Sequence, residues 1–255
     1  MYIYNESEIE IMREGGKKLA QIMIDLENFA VAGITVADID TKALELIAAA
    51  GAEPATVGYT PSGASYPFPS AVCVSINDEV AHGISTDNPR ALEEGDIVSA
   101  DIVIKYRGMF VDVCRSWGIG DLPAKRQKLV EAARKTTNEA IAVALPGNTT
   151  DDIGLAAFQT AKQHGFQTVR ELGGHGVGKE IHMEPFVPNF PGSGFKTPLR
   201  PGMILAIEPI INAGDWRVSL HENDYLFYTS DGSDSAQFEE TVLITENGPE
   251  ILTKL

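Results

Sequence analysis

Two aspartates, Asp101 and Asp112, lie in short β-branched runs joined by Lys105-Tyr-Arg-Gly108, a pattern typical of a β-hairpin. A hairpin symmetric about the Tyr106–Arg107 bond would place Asp101 directly opposite Asp112, with Cβ atoms about 5 Å apart. Two facing carboxylates in an apolar sheet repel each other, so a cation between them is expected. A divalent metal ion is the simplest candidate, because hard cations accept bridging carboxylate oxygens.

Further acidic residues occur in strand-like segments later in the chain. Glu208 precedes Pro209, which has no amide proton for a sheet ladder and marks a strand end or edge. Glu239 and Glu240 lie in another β-branched run. Alternation turns only one of these two glutamates to the buried face, and periodicity does not decide which one.

Three histidines complete the set of candidate residues. His175 lies among glycines in Leu172-Gly-Gly-His-Gly-Val-Gly178, a spacing that does not match a dinucleotide-binding fingerprint. The glycines let the backbone bring an imidazole close to a bulky group. His182 follows seven residues later, and His82 ends Asn77-Asp-Glu-Val-Ala-His. Each histidine alone is more typical of a loop or core residue, but one histidine with four carboxylates describes a two-metal hydrolytic site.

Composition limits the class of protein. The chain has 255 residues, is 44% hydrophobic and carries a net charge of −16, which argues against non-specific binding to nucleic acid or anionic membranes. No run is long enough to span a membrane and no signal peptide is apparent. The two cysteines, Cys73 and Cys114, form no disulfide framework, which fits a reducing cytoplasm.

Two parts of the sequence resemble each other. Residues 32–39 match residues 146–153, and Glu94–Asp101 resembles Pro201–Glu208, each with an acid six positions after a glycine. In each part a helix, at about 8–31 and 123–145, precedes a Thr/Asp N-cap signal and a second helix. This internal similarity arises either by chance or because two half-domains are related by a pseudo-two-fold axis. No linker-like segment separates them, so residues 1–255 are expected to form one domain with halves at about 8–120 and 121–250.

The order and context of these residues resemble the type I methionine aminopeptidases of the pita-bread (creatinase/aminopeptidase) fold. The matching elements are Asn77-Asp-Glu-Val-Ala-His82-Gly, Asp101, Asp112, Gly174-His175-Gly-Val-Gly, His182, Glu208-Pro209 and Glu239. The resemblance extends from about Ile11 to Thr253. It implies an α+β fold in which two pseudo-two-fold-related half-domains share a curved antiparallel sheet covered by helices.

The resemblance also implies the metal ligands, and it selects Glu239 over Glu240. The implied ligands are Asp101, Asp112, His175, Glu208 and Glu239. We expect two divalent ions (Co, Mn, Fe or Zn) bridged by Asp112 and Glu239. Hydroxide bound to these ions would attack the first peptide carbonyl.

The implied catalytic residues are Glu208, His182 and His82. Glu208 would accept and pass on the proton of the attacking water. His182 would donate a hydrogen bond to the developing oxyanion, and His82 would contact the scissile amide nitrogen or its leaving amine. The implied reaction removes N-terminal methionine from nascent proteins and peptides with a small second residue. Nothing in the sequence demands more than a monomer, and transient contact with the ribosome stays open.

The implied side-chain pocket departs from the usual family pattern. Its expected walls are Tyr59, Tyr66, Cys73 and Tyr225. The segment from Tyr59 to Cys73 is longer than the family's usual loop. Ile181 stands where an aromatic residue is common, and Tyr225 where a tryptophan often closes the pocket. These differences concern selectivity for methionine rather than hydrolysis.

Two other functions are compatible with parts of this pattern. A proline-specific (Xaa-Pro) peptidase of the same fold usually carries an extra N-terminal domain. A non-catalytic pita-bread module that binds protein or RNA usually lacks metal ligands, whereas this sequence retains all five expected positions. Metal content and release of an N-terminal amino acid from short peptides would distinguish the three.

Overall fold

A computed structural model describes residues 2–61 and 63–255 of the chain. The helices are α1 (Glu6–Phe29), α2 (Val36–Ala49), α3 (Ala124–Ala142) and α4 (Thr150–Gln163). The strands of the first half are β1 (Glu53–Pro54), β2 (Cys73–Ile76), β3 (Glu79–Ala81), β4 (Ile97–Tyr106) and β5 (Met109–Gly118). The later strands are β6 (Gln167–Thr168), β7 (Gly174–Gly176), β8 (Met183–Val187), β9 (Ile204–Ile207), β10 (Ile210–Asn212), β11 (Val218–Leu220), β12 (Phe227–Thr229), β13 (Ser235–Gln237), β14 (Glu239–Thr245) and β15 (Gly248–Ile251).

The central feature is a nine-stranded sheet in the order β1-β4-β5-β14-β9-β7-β8, with β2 also paired to β4 and β15 to β14. Its strand pairs are antiparallel. Two three-stranded sheets, β13-β10-β6 and β11-β12-β3, accompany it. Strand β14 comes late in the chain but lies between β5 and β9, so it joins the two parts of the sequence into one sheet.

Three of the four described helices begin with a capping box. The capping boxes are Asn5 with Glu8 in α1, Thr35 with Asp38 in α2, and Thr149 with Asp152 in α4. In each box two residues satisfy each other's exposed amide groups. Gly33 and Gly147, which precede the last two boxes, have φ angles of 91° and 94°. These matched details support the interpretation of two related halves.

The two faces of the central sheet have different partners. On the outer face of β4, the residues that pack into the core with α1 and α2 are Val98, Ala100, Ile102 and Ile104. A second apolar cluster joins α3 and α4 to β9 and β14, through residues that include Ile141, Ile153, Leu205 and Val242. Burying each large aliphatic side chain stabilises the fold by roughly 1.5–3 kcal/mol. Because the helices cover one face, the alternate residues of the same strands are directed to the other.

The turn between β4 and β5 lies later than the sequence pattern predicts. Arg107 and Gly108 have φ angles of 49° and 86°, as a two-residue type I′ turn requires. Tyr106 pairs with Met109, so the turn is centred on the Arg107–Gly108 bond. The expected centre at the Tyr106–Arg107 bond is wrong, because symmetry of the apolar runs does not specify which residues take positive φ.

This shift changes the partners of the two hairpin aspartates. Asp101 faces Cys114, and Asp112 faces Val103. The expected direct pairing of Asp101 with Asp112 is therefore wrong, and the two are diagonal neighbours. A slip of two positions keeps both side chains on one face, since side chains alternate with a period of two. The hairpin, its two adjacent antiparallel strands and the shared face of the aspartates are confirmed.

Within the described residues no helix combines the length and the apolar character needed to cross a membrane.

Candidate metal centre

Acidic side chains from neighbouring strands line one cavity of about 100 Å³. Asp101 comes from β4, Asp112 from β5 and Glu239 from β14. Glu208 follows the end of β9, and His175 lies in β7 on the far side of β9. The structure thus brings together the five residues expected from the sequence to bind metal.

Strand register explains why several of these residues share one face. Asp101 pairs with Cys73 on one side and with Cys114 on the other. Cys114 pairs in turn with Glu239. Directly paired residues of antiparallel strands point to the same face, so one rung crosses β2, β4, β5 and β14. Asp112 lies two residues before Cys114 and has the same orientation.

The tautomer of His175 leaves its Nε2 available to bind a metal ion. Its Nδ1 lies 3.0 Å from the carbonyl oxygen of Gly176. A carbonyl oxygen only accepts hydrogen bonds, so Nδ1 carries the proton and Nε2 keeps its lone pair. Nε2 lies 3.5 Å from an oxygen of Glu208 and 3.9 Å from an oxygen of Asp112. Burial, reinforced by His182, lowers the pKa of His175 to about 3, so the ring is neutral at pH 7.

The carboxyl groups carry an electrostatic cost that a cation would relieve. Burial raises the pKa of each acidic residue in the cavity, most strongly for Asp112 and Glu239, where neighbouring carboxylates add repulsion. Among the described residues, Asp112 Oδ1 and Glu239 Oε1 are buried without a hydrogen-bond partner. One ligand atom from each of Asp112, His175 and Glu239 lies within 4.8 Å of the others. A ligand set of several carboxylate oxygens and one imidazole nitrogen suits a divalent metal ion.

The neighbouring glutamates of β14 have opposite surroundings. Glu239 is 2% exposed and lines the cavity. Glu240 points the other way, where it pairs with Arg115 at 2.9 Å and accepts a hydrogen bond from Thr253. The geometry therefore places Glu239, and not Glu240, among the candidate ligands.

His82 and His182 line the same cavity. The His182 ring centroid lies 4.5 Å from that of His175, in an edge-to-face arrangement. His82 has a φ of 59°, and its ring packs edge-on against Phe227. Burial lowers the pKa of both, to about 4 for His82, with a further contribution from His182. Each is neutral at pH 7 and offers one N–H as a hydrogen-bond donor.

Part of the cavity is apolar and aromatic. Of the expected pocket residues, Tyr59, Cys73 and Tyr225 line it. Tyr66 is not among the residues found to line the cavity: it is 38% exposed, and its ring packs edge-to-face against that of Tyr225. Tyr66 therefore stays a predicted pocket residue, and it contacts the cavity wall through Tyr225. Phe68, two residues later, packs against Tyr225 at a centroid distance of 5.0 Å and lines the cavity instead.

Sequence reasoning missed other residues around the cavity. The additional lining residues are Thr56, Pro61, Phe68 and Val103. Gln237 was also missed: its Nε2 donates to Glu208 Oε2 at 3.2 Å. Gln237 lies two positions before Glu239, so strand alternation was a usable signal. The pocket residues of the irregular loop carried no comparable periodicity.

The fold and the site together identify the class of protein. A helix-covered antiparallel sheet that directs a buried carboxylate–histidine cluster into one cavity is the arrangement of pita-bread metallohydrolases. Residues 10–246 match Metallopeptidase family M24. The chain is 40% identical to a methionine aminopeptidase of Clostridium acetobutylicum over 253 residues, covering 98% of both chains. The chain therefore belongs to metallopeptidase family M24 and, within it, to the methionine aminopeptidases.

Solved structures agree with this assignment. A crystal structure of methionine aminopeptidase from Thermotoga maritima superposes with a TM-score of 0.94 at 38% identity, covering 100% of both chains. A prolidase from Pyrococcus furiosus superposes with a TM-score of 0.78 at 23% identity, and the match covers 99% of this chain but 65% of the prolidase. The second likeness shows the fold alone. The predicted family and the predicted pita-bread fold are confirmed.

Proposed function

We propose that this protein removes N-terminal methionine from nascent proteins and peptides whose second residue is small. The observation that carries the proposal is one cavity in which Asp101, Asp112, His175, Glu208 and Glu239 lie beside an apolar, aromatic pocket. The pocket accepts a side chain, and the polar cluster lies next to the bond that follows it. Methionine suits such walls, because its thioether makes favourable contacts with aromatic rings.

The five clustered residues would hold two divalent ions, of Co, Mn, Fe or Zn. The two orphaned oxygens, on Asp112 and Glu239, support these residues as ligands. Bound divalent ions supply Lewis-acid chemistry, since they lower the pKa of water and stabilise negative charge on a carbonyl oxygen. Donors of this type accept several first-row metals, so supply in the cell selects among them.

The remaining side chains bind the substrate and move protons. Glu208 is positioned to take the proton of the attacking water, and the amide of Gln237 fixes one of its oxygens. His182 donates a hydrogen bond to the oxygen of the scissile carbonyl as negative charge develops there. His82 contacts the scissile amide nitrogen or its leaving amine from the wall of the same cavity.

The walls of the pocket set the selectivity. Tyr59, Phe68, Cys73, Ile181 and Tyr225 enclose the space for the first side chain. Changes of shape in such a pocket alter discrimination by roughly 1–3 kcal/mol, which permits slower release of leucine or norleucine. The second residue would lie in the crowded part of the cleft near the two neutral histidines, where Ala, Gly or Ser fits best.

A peptide panel tests this function. Metal-loaded protein is assayed on peptides varied at the first two positions, with released amino acids measured. We expect rapid cleavage of Met-Ala-Ser peptides, slower release of leucine or norleucine, and little release when the second residue is Lys, Arg or Trp. A strong preference for proline as second residue, with indifference to the first, would instead identify a proline-specific peptidase. Absence of any release at full metal loading would identify a binding module.

We also propose a monomer that works in the cytoplasm on peptides and emerging chains. Cys73 and Cys114 are both buried free thiols, which suits a reducing compartment. Transient contact with the ribosome would bring the enzyme to its substrates. Because the net charge of −16 opposes binding to the ribosome, such contact requires a local basic patch on the protein surface.

A further inference from the structure

A tyrosine outside the metal cluster touches one of the catalytic histidines. The hydroxyl oxygen of Tyr59 lies 2.8 Å from Nδ1 of His182. The two rings are 5.4 Å apart between centroids and are tilted by 53°. Both side chains line the same cavity, so this contact joins the side-chain pocket to the catalytic centre.

The direction of this hydrogen bond determines where the imidazole carries its proton. A tyrosine hydroxyl has one proton to donate, and within the described part of the chain its only hydrogen-bond partner is His182 Nδ1. If the hydroxyl donates, Nδ1 accepts, and a neutral imidazole must then carry its proton on Nε2. The Nε2–H group is the donor that the developing oxyanion requires.

Backbone hydrogen bonds hold Tyr59 in place. Gly58 N donates to Phe68 O at 2.8 Å, and Phe68 N donates to Tyr59 O at 2.8 Å. Tyr59 therefore lies at the closed base of the segment from Tyr59 to Phe68. Further along this segment the Tyr66 hydroxyl donates to Asn223 O at 2.8 Å. Both ends of the segment are tethered, which limits the positions available to the Tyr59 ring.

We propose that Tyr59 is a positioning residue that fixes His182 in the Nε2–H tautomer, and so keeps its donor directed to the scissile carbonyl. This inference rests on the proposed function, because it assigns His182 the role of oxyanion donor. It gives Tyr59 a part in the catalytic step in addition to its place in the pocket wall. Partners that orient a metal-bound histidine are typically worth about 10–100-fold in activity, and we expect a loss of the same order for a histidine beside the metal cluster.

A double-mutant cycle on the metal-loaded enzyme tests the proposal. The variants are Tyr59→Phe, His182→Ala and the two combined, with Tyr2→Phe as matched control. Tyr2 also donates its hydroxyl to a single side chain, Glu8 at 2.9 Å, but on the surface. We expect Tyr59→Phe to lower kcat by about 10–100-fold with little change in KM. In the His182→Ala background the same change should alter kcat by less than about twofold.

A spectroscopic readout separates tautomer control from pocket effects. In ¹⁵N-histidine NMR spectra, His182 of the wild type should show a protonated Nε2 and an accepting Nδ1, and Tyr59→Phe should shift this pattern toward a mixture. Independent, multiplicative losses in the double variant, or an unchanged tautomer in Tyr59→Phe, would overturn the proposal. Wild-type cleavage of Met-Ala-Ser peptides tests the proposed function separately. Folding of each variant is checked by urea unfolding.

Discussion

Glu239 and Glu240 are consecutive residues of β14 that face opposite sides of the sheet. Glu239 lies in the cavity with one oxygen lacking a partner among the described residues, whereas Glu240 pairs with Arg115 on the helix-covered side. The two side chains have the same chemistry and are both largely buried. They therefore form a natural pair for separating metal binding from structural stability.

Glu239→Gln should weaken metal binding by at least about tenfold, because it removes a ligand charge from the cluster. Glu240→Gln should retain its metal but lower the free energy of unfolding by about 1–3 kcal/mol, because Arg115 loses its buried partner. Elemental analysis and calorimetric metal titration check the first effect, and urea unfolding checks the second. Equal metal content in the two variants would contradict the assignment of Glu239.

His182→Ala should lower kcat by about 10²–10³ with little change in KM, since the residue acts when charge develops on the carbonyl oxygen. Steady-state kinetics on a Met-Ala-Ser peptide measure this. His164→Ala is a suitable control, because His164 caps the C-terminus of α4. A higher KM with unchanged kcat would make His182 a ground-state binding residue instead.

The metal-free protein should lose stability as pH rises above neutrality. Burial raises the pKa of Asp101 to about 7 and that of Glu208 to about 8. In the unfolded chain both groups ionise near pH 4, so only the folded state still holds their protons at pH 6.5. Each proton that only the folded state holds lowers the free energy of unfolding by up to about 1.4 kcal/mol per pH unit, from about pH 4 until the pH passes the pKa of that group in the folded state.

Titration of the cavity histidines changes the stability in a lower pH range, so it does not obscure the decline expected above pH 6.5. The pKa values of His82 and His175 are lowered to about 4 and about 3, so in the folded state they stay neutral near pH 7. They destabilise the fold only below about pH 6.5, where the unfolded chain gains their protons. Urea unfolding between pH 6.5 and 8.5 should show a decline that added Mn²⁺ largely removes. A flat profile without metal would contradict the prediction.

Gly174→Ala should destabilise the fold and reduce metal content. A Cβ at Gly174 would lie 2.2 Å from the carbonyl oxygen of Ala206, in the strand that pairs with β7. Relieving that clash displaces His175 and costs about 1–3 kcal/mol or more. Gly15→Ala is the control: its Cβ would lie 3.3 Å from the nearest atom, on Tyr106, and alanine favours the helix. Thermal unfolding and metal analysis of the two variants check this prediction. Equal stability and equal metal content in Gly174→Ala and Gly15→Ala would contradict it.

The acidic cluster was predictable because it depends on residue type and on strand alternation. The hairpin register was less predictable, because the position of the turn depends on which residues adopt positive φ. Arg107 adopts a positive φ although it is not glycine. A slip of two positions left the site intact, whereas a slip of one would have removed an aspartate from it. Alternation alone also left the choice between Glu239 and Glu240 open. The family resemblance selected Glu239, which is the one that lines the cavity.

The side-chain pocket was the part least accessible to sequence reasoning. Tyr66 and Phe68 lie in one irregular loop, and no periodicity indicates which ring faces inward. Their positions depend on contacts with Tyr225, which is remote in sequence. Such long-range packing is not encoded in any local pattern. By contrast, the starts of α2 and α4 were predictable because a capping box needs only two residues three positions apart.

The late position of β14 in the chain has a consequence for how the molecule is made. Asp101 and Asp112 are synthesised long before Glu239, yet β14 must insert between β5 and β9 to complete the sheet. Pairing of such distant segments raises the contact order, and high contact order slows folding. A partly synthesised chain holds only a fraction of the ligands and an open sheet edge. The complete set of candidate ligands, and with it peptidase activity, therefore requires that nearly the whole chain has left the ribosome.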